Sequence, residues 1–327
     1  MREGVAWRRI ALKEKSLATT TPVESSTMPR AGGGSFAARR RRTGWFMAAP
    51  TIAAILALGI FPLLYSLALS FQRRDLQHPN EDQFLGLGNY ATALADARFW
   101  DSMFNTVLLV VGGVTLQFIL GLGLALVVVD ELRGKRFIIP LLMLPVMMVP
   151  VVVALGWRLL WDSQFGAINH ILSFILRRDI DITWLTNKWT ALFAILVTDV
   201  WQWTPFMFLI LLAGLSSLNP ELYEAAALDG AGWWQELREI TLPGLAPVIA
   251  VAIIFRALDA FKVFDQIFML TQGQPGTSTE TISWYIYQVG YKFFSMGYAA
   301  AISYLLVIFL TVAATIYAAR FLREERL

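Results

Sequence analysis

Six apolar stretches dominate this sequence, and each is long enough to cross a lipid bilayer. A helix needs about 20 predominantly apolar residues to span the hydrocarbon core. The fifth stretch is the least uniform, because charged residues interrupt its second half. The stretches are approximately residues 45–71, 103–129, 137–160, 189–214, 243–269 and 297–320. They predict an all-α membrane protein with six transmembrane helices.

Composition supports a membrane protein and excludes several classes of site. Of the 327 residues, 57% are hydrophobic and 16% are charged, whereas soluble domains carry about 25% charged residues. A net charge of +3 is too small to indicate a nucleic-acid partner. The absence of cysteine excludes disulfides, thiolate metal sites and cysteine nucleophiles. The two histidines, His78 and His170, lie in predicted loops, so neither a metal nor a cofactor is expected.

Both chain termini are predicted to lie in the cytoplasm. Residues 1–44 form a polar, arginine-rich tail that is expected to be disordered. The apolar run that follows is too long for a cleaved signal peptide, so it is a retained first span. With six spans, the segments on the side of the termini hold 17 Lys and Arg, ten of them in the tail, against seven on the other side. The positive-inside rule then gives a cytoplasmic tail, a membrane domain over 45–322 and a cytoplasmic end at 323–327.

The predicted cytoplasmic loop 215–242 carries strong helix signals. Asn219 is a favourable N-cap, and Pro220 suits the first helical position, where no N–H is needed. Gly230 is a natural helix stop. The loop is therefore predicted to contain one short helix over 219–232, and a second short helix at "WWQELREI" before the fifth span. Composition alone would favour an ordinary amphipathic helix on the membrane surface.

The order of residues in this loop resembles a known signature. "EAAALDG" followed after nine residues by "ITLP" resembles the EAA loop of permease subunits in binding-protein-dependent ABC importers. Leu237 stands where many relatives have an aromatic residue. The residues in register are Glu224, Ala225, Ala226, Gly230, Ile240, Leu242 and Pro243.

The resemblance covers about residues 45–322 and narrows the family to sugar permeases of the maltose and glycerol-phosphate type. "TPFMFLILLAGLSSLNPELYEAA" and "FKVFDQIFMLTQGQPG" are similar to that branch, although many relatives read Gly-Gly-Gly-Pro at residues 272–275. The family fold is an all-α, six-span type I importer bundle. It implies a homologous second permease, a cytoplasmic ATPase dimer and an extracytoplasmic sugar-binding protein. The chain has no phosphate-binding "GxxxxGK[ST]" motif, so the chain is not expected to be an enzyme, and ATP hydrolysis would belong to a separate subunit.

By this resemblance, the helix over 219–232 is a coupling helix that docks on the ATPase subunit. Its carboxylate at Glu224 would meet a donor there, and Gly230 would permit the tight turn that follows. The residues expected to make the contact are Glu224, Ala225, Ala226, Asp229 and Gly230.

The fourth span contains the first candidate cargo site, in "TDVWQWTPF". Asp199, Gln202 and Phe206 share one helix face. Carboxylates, amides and flat aromatic surfaces are the groups that recognise sugars, and a polar residue in a span is functional unless a structural partner is found. The resemblance adds Trp203 and implies that all four contact cargo, with Asp199 standing where a relative has an amide. The alternative is an interhelical hydrogen bond flanked by an aromatic belt.

The fifth span ends in a row of alternating charges: Arg256, Asp259, Lys262 and Asp265. Neighbours of opposite charge three residues apart on a helix can pair, so the row is expected to form a self-neutralising ladder. Because relatives line the pathway with this helix, Asp259 and Lys262 are further cargo candidates. A structural ion-pair stripe is the alternative. The same row would also serve a secondary transporter driven by an ion gradient, which is the alternative function.

The expected cargo is a di- or oligosaccharide, with trehalose preferred. The fourth span offers aromatic and polar groups but no arginine cluster of the kind that binds phosphate. Maltose-like sugars and glycerol phosphodiesters remain open. Asn105 and Gln117 are interpreted as packing groups, and the aromatic segment 281–294 is expected to lie along the outer membrane surface, where it could meet the binding protein. A membrane-embedded enzyme is disfavoured because histidine clusters and paired acidic ligands are missing.

Overall fold

The computed structural model describes residues 45–78, 82–129 and 134–321. The predicted tails 1–44 and 323–327 therefore lie outside the described residues. Contacts divide the chain into two units, residues 1–62 and 63–327. In the first unit, every described residue is exposed.

The described chain is almost entirely helical. A two-stranded antiparallel hairpin joins β1 (Gln72–Arg73) to β2 (Gln83–Phe84). The helices are α1 (Trp45–Ser70), α2 (Gly88–Ala95), α3 (Ala97–Val129), α4 (Lys135–Met147), α5 (Pro150–Leu160), α6 (Ala167–Leu176), α7 (Lys188–Leu215), α8 (Pro220–Leu228), α9 (Trp233–Ala260), α10 (Asp265–Leu270), α11 (Ile282–Tyr287) and α12 (Met296–Phe321).

Five helices are long and apolar enough to cross a membrane: α1, α3, α7, α9 and α12. The consecutive helices α4 and α5 pass the same test together and count as a sixth span if the bent pair is taken as one. The predicted all-α bundle is confirmed, and the six-span count holds on that basis.

The third apolar stretch is not the continuous helix that its hydropathy predicts. The helix axis turns by 92° between α4 and α5. Met148 and Val149 adopt extended conformations, with ψ of 143° and 131°. Pro150 explains the position of the break, because a residue that precedes proline is driven out of the helical region.

The fifth apolar stretch also has different ends from those predicted. The separate short helix at "WWQELREI" is wrong, because α9 begins at Trp233 and runs through a π-helical turn, Glu236–Thr241, into the span. The span stops at Ala260 instead of continuing to residue 269. Charged residues accumulate at this point, and a helix that carries them leaves the hydrocarbon region more readily than it crosses it.

The helices α3 and α7 form the most extensive pair in the bundle. Gly121 on α3 permits the close approach, since a Cβ there would lie 2.9 Å from the Phe208 backbone nitrogen and 3.1 Å from the Met207 Cβ. The main core consists mostly of buried residues from α3, α7, α9, α11 and α12, together with Ala93 of α2.

The expectation that residues 281–294 lie along the outer surface is wrong for the first half of that segment. Ile282 and Trp284 on α11 are 0% and 2% exposed. Trp284 packs against Phe264 and Phe268, with ring centroids 5.7 and 5.8 Å away. This aromatic cluster draws α11 into the protein.

Candidate functional site

A buried ion pair joins two of the long helices inside the bundle. The Nη2 atom of Arg256 on α9 donates to the Oδ2 atom of Asp199 on α7 at 2.6 Å. The arginine side chain is 2% exposed and that of the aspartate is 13% exposed. Charged side chains in a span are costly unless they are paired, so this pair neutralises both residues.

A third helix completes this polar cluster. Gln117 on α3 donates from Nε2 to Asp199 Oδ2 at 2.8 Å and accepts from Arg256 Nε at 2.9 Å. The guanidinium also lies 4.9 Å from the centre of the Trp203 ring, within the range of a cation–π interaction. Gln117 is therefore an interhelical hydrogen-bonding group, as expected, and the structural alternative considered for Asp199 is present.

A small cavity of about 140 Å³ opens beside the cluster. Four of the six predicted cargo residues line it together: Asp199, Trp203, Asp259 and Lys262. The full lining adds Pro150, Arg256, Ala260, Val263, Phe264, Asp265 and Gln266. The structure thus brings together residues that lie far apart in the sequence.

The other two predicted cargo residues lie next to the cavity but do not line it. Gln202 is 1% exposed, and its Nε2 atom donates to the carbonyl of Met148 at the break between α4 and α5, at 3.3 Å. Phe206 packs edge-on against Trp203, with ring centroids 6.2 Å apart. Both residues support the groups that face the cavity.

The expected ladder of charges is wrong beyond its first step. Arg256 lies 3.5 Å from the Oδ2 atom of Asp259, but its shorter contact is with Asp199. Lys262 and Asp265 lie beyond the end of α9, and in the described parts of the chain neither forms an ion pair. Because the helix stops at Ala260, the spacing of three residues no longer places these groups on one face.

Sequence reasoning did not identify Gln266 as a site residue. This residue on α10 is 2% exposed, lines the cavity, and donates from Nε2 to Asp199 Oδ1 at 3.4 Å and to Gln202 Oε1 at 3.3 Å. The sequence signal that could have identified Gln266 was its position: it is a polar residue directly after Asp265, in a stretch predicted to be an apolar span.

The loop 215–242 folds as its capping residues predict, although α8 ends at Leu228 instead of continuing to residue 232. The side chain of Asn219 accepts from the Glu221 amide at 3.1 Å at the start of α8, and Gly230 adopts a left-handed conformation with φ of +77° just after the helix. Four of the five expected contact residues are exposed, and Ala226 is half-buried: Glu224, Ala225, Ala226, Asp229 and Gly230.

A larger cavity, of about 740 Å³, separates α8 from the ends of α3, α7 and α9. Its lining includes the carboxylates of Glu224 and Glu236. The hydroxyl groups of Tyr223 and Thr241 are 2.9 Å apart and connect α8 to the base of α9. This contact joins α8 to the helix that carries Arg256.

At the other end of α3, polar groups connect the helices through side chains. Arg98 forms two hydrogen bonds with the Glu280 carboxylate, at 2.8 and 2.7 Å. Asp96 accepts hydrogen bonds from the hydroxyl groups of Tyr285 and Tyr298. Burial opposes ionisation of Asp96, but the hydrogen bonds outweigh it and lower the pKa of this carboxyl.

Comparison with known proteins places this arrangement in a family. Residues 117–324 match the model of the binding-protein-dependent transport system inner membrane component. The trehalose transport system permease protein SugA of Mycobacterium tuberculosis is 37% identical over 277 residues, which cover 85% of this chain and 88% of that protein. The trehalose/maltose transport system permease protein MalF of Thermococcus litoralis is 38% identical over 267 residues, covering 82% and 89%.

A solved structure has the same fold. One chain in the crystal structure of a bacterial ABC transporter involved in the import of the acidic polysaccharide alginate matches with a TM-score of 0.75 and 25% identity, covering 87% of this chain and 96% of that one. The residues matched by the family model, 117–324, include the polar cavity and α8. This chain is a multi-pass membrane protein that belongs to the inner-membrane permease components of binding-protein-dependent transport systems.

Proposed function

We propose that this chain is the permease subunit of an ATP-driven importer for a neutral di- or oligosaccharide, with trehalose as the first candidate. The names of the two relatives support this cargo class, since they transport trehalose or trehalose and maltose. The observation that carries the proposal is the cavity beside the Arg256–Asp199 pair. It combines carboxylate, amide and aromatic groups inside the membrane bundle.

The charge of the cavity favours a neutral cargo. Arg256 and Lys262 face three carboxylates, those of Asp199, Asp259 and Asp265. Arg256 is already paired, so its guanidinium is not free to form the bidentate contacts by which arginine binds phosphate. These features count against the alternative of a glycerol-phosphate-type cargo.

The family supports three kinds of partner. A second homologous permease would complete the pathway, a cytoplasmic ATPase dimer would supply energy, and an extracytoplasmic binding protein would deliver the sugar. In this assembly α8 is the coupling helix that docks on the ATPase, with Glu224 as its exposed carboxylate. The Tyr223–Thr241 contact would pass the motion of the ATPase to α9.

An ion-gradient mechanism is less well supported. It would need a continuous row of titratable groups, whereas α9 ends before Lys262 and the strongest pair is made between helices. Uptake that requires ATP and resists proton uncouplers supports the importer, and the reverse result would support the ion-gradient alternative.

The proposed orientation places both termini and α8 in the cytoplasm. Because the chain contains no cysteine, single cysteines report their own accessibility. Leu228 at the end of α8 is 89% exposed, and Phe165 in the segment between α5 and α6 is 86% exposed. In intact cells an impermeant maleimide should label Phe165→Cys and not Leu228→Cys. Labelling of Leu228→Cys from outside would refute the orientation.

The cargo is tested with the complete importer in proteoliposomes. Binding proteins loaded with trehalose, maltose, other neutral oligosaccharides or a glycerol phosphodiester would be compared for ATPase stimulation and uptake. We expect stimulation and uptake with a neutral disaccharide. Activity with the phosphodiester alone would overturn the assignment of cargo class.

A further inference from the structure

The amide group of Gln266 has one orientation that suits its surroundings. Its hydrogen-bond partners are Asp199 Oδ1 at 3.4 Å and Gln202 Oε1 at 3.3 Å. A carboxylate in an ion pair only accepts hydrogen bonds, so the amide nitrogen of Gln266 must face these oxygens. The amide oxygen then points elsewhere, and it is buried without a hydrogen-bond partner among the described residues.

The other buried acceptors of the cluster are already occupied. Asp199 Oδ2 accepts from Arg256 and Gln117, and Gln202 Oε1 accepts from Gln266. Among the cavity-lining residues that the structure describes, Gln266 contributes the buried side-chain acceptor that lacks a partner. A buried polar atom without a partner is costly, and a donor that reaches it is favoured.

The existing contacts of Gln266 leave it free to respond to a ligand. Both of its hydrogen bonds are longer than the range of about 2.7–3.2 Å that is usual for N–H···O bonds, so they hold the amide weakly. Gln117 differs, because its bonds to Asp199 and Arg256 are 2.8 and 2.9 Å long and it does not line the cavity. The two glutamines share partners but have different surroundings.

We propose that Gln266 is a cargo-contacting residue whose amide oxygen accepts a hydrogen bond from one hydroxyl group of the passing sugar. This inference rests on the proposed function and assigns a specificity-determining residue to the same site. A site that is built to bind a hydroxyl group discriminates strongly against an analogue that lacks it, because a buried polar group is then left unpaired. Gln266 therefore selects for one hydroxyl position on the cargo.

The test compares Gln266→Met with Gln117→Met in the complete importer, reconstituted in proteoliposomes with one binding protein. Uptake at subsaturating concentration would be measured for the parent disaccharide and for analogues in which each hydroxyl in turn is replaced by hydrogen. The ratio of variant to wild-type uptake for each sugar cancels the selectivity of the binding protein. ATPase activity without sugar reports assembly of each variant.

For Gln266→Met, we expect a loss of about five- to tenfold with the parent sugar, the size of one hydrogen bond. For one deoxy analogue the ratio should return close to unity, because the hydroxyl that Gln266 contacts is already missing. Gln117→Met should reduce uptake of all analogues by the same factor, since its role is to hold Asp199 and Arg256.

A uniform loss across all analogues in Gln266→Met would overturn the inference and leave Gln266 as a support for Asp199. If that variant does not assemble, Gln266→Asn keeps an amide donor for Asp199 and Gln202 but withdraws the acceptor oxygen by one methylene group, so the loss should again disappear with one deoxy analogue. An equal loss with every analogue would overturn the inference. Failure of the wild-type importer to transport any neutral sugar would refute the proposed function instead, and this is measured first.

Discussion

Removing the charge of Arg256 tests the buried polar cluster most directly. Arg256→Met keeps much of the length and apolar volume of the side chain but leaves Asp199 with two neutral donors, Gln117 and Gln266. Breaking a buried ion pair by removing one partner costs about 3–5 kcal/mol, because an uncompensated charge remains. Because two donors remain, the expected loss in the free energy of unfolding is about 3 kcal/mol, at the lower end of that range. For a chain of this length, that loss lowers the melting temperature by roughly 6 °C.

The second half of the experiment removes both charges. Replacing a buried pair by apolar residues of similar volume is often neutral or stabilising, so Arg256→Met combined with Asp199→Leu should recover most of the loss. The 12 tryptophans provide an intrinsic fluorescence signal for melting of the purified importer in nanodiscs. A single substitution that shifts the melting temperature by less than about 1 °C, or a double variant whose shift equals the sum of the single shifts, would refute the reasoning.

Three further predictions concern other parts of the chain. Glu224→Ala should leave the complex assembled but reduce uptake by about tenfold, the effect of one charge-assisted hydrogen bond. The control, Glu239→Ala at an exposed site on α9, should transport normally. Equal uptake rates for both variants in vesicles would count against coupling through α8. Gly121→Ala should destabilise the α3–α7 contact by about 1–3 kcal/mol. Gly123→Ala should not, because a Cβ at that position meets nothing within 4 Å. Equal melting temperatures for the two variants would contradict this packing. The pKa of Asp96 in the folded protein is lowered from 3.8, so ionised Asp96 stabilises the fold above that pH, and this stabilisation is lost as the pH falls through the lower folded value. Asp96→Asn should therefore weaken the dependence of the melting temperature on pH in acid. An unchanged dependence would exclude the effect.

Much of the fold could be predicted because its signals are local. Each span is recognised from one continuous run of apolar residues, and α8 is recognised from Asn219 and Gly230 at its two ends. The break before Pro150 was also available locally, but a hydropathy window measures composition and does not register the backbone of the preceding residue. The end of α9 at Ala260 was missed although charged residues interrupt the stretch there, because apolar residues continue between the charges as far as residue 269.

The candidate site could be predicted only in part because its partners are distant in the sequence. Asp199, Trp203, Asp259 and Lys262 stood out as polar or aromatic residues inside predicted spans, and they line one cavity. The pairing of Asp199 with Arg256 depends on how α7 packs against α9. A polar residue in a span indicates that it has a polar partner, but the sequence does not identify that partner.

The break between α4 and α5 interrupts the third span beside the cavity. Met148 and Val149 are extended, so no intact helical turn crosses the joint. At the joint itself, the Gln202 side chain donates to the Met148 carbonyl, a bond worth about 1 kcal/mol. Bending an uninterrupted helix by 92° would rupture several backbone bonds at once. The third span thus lacks a continuous ladder of backbone hydrogen bonds at the level of Gln202, next to the polar cavity.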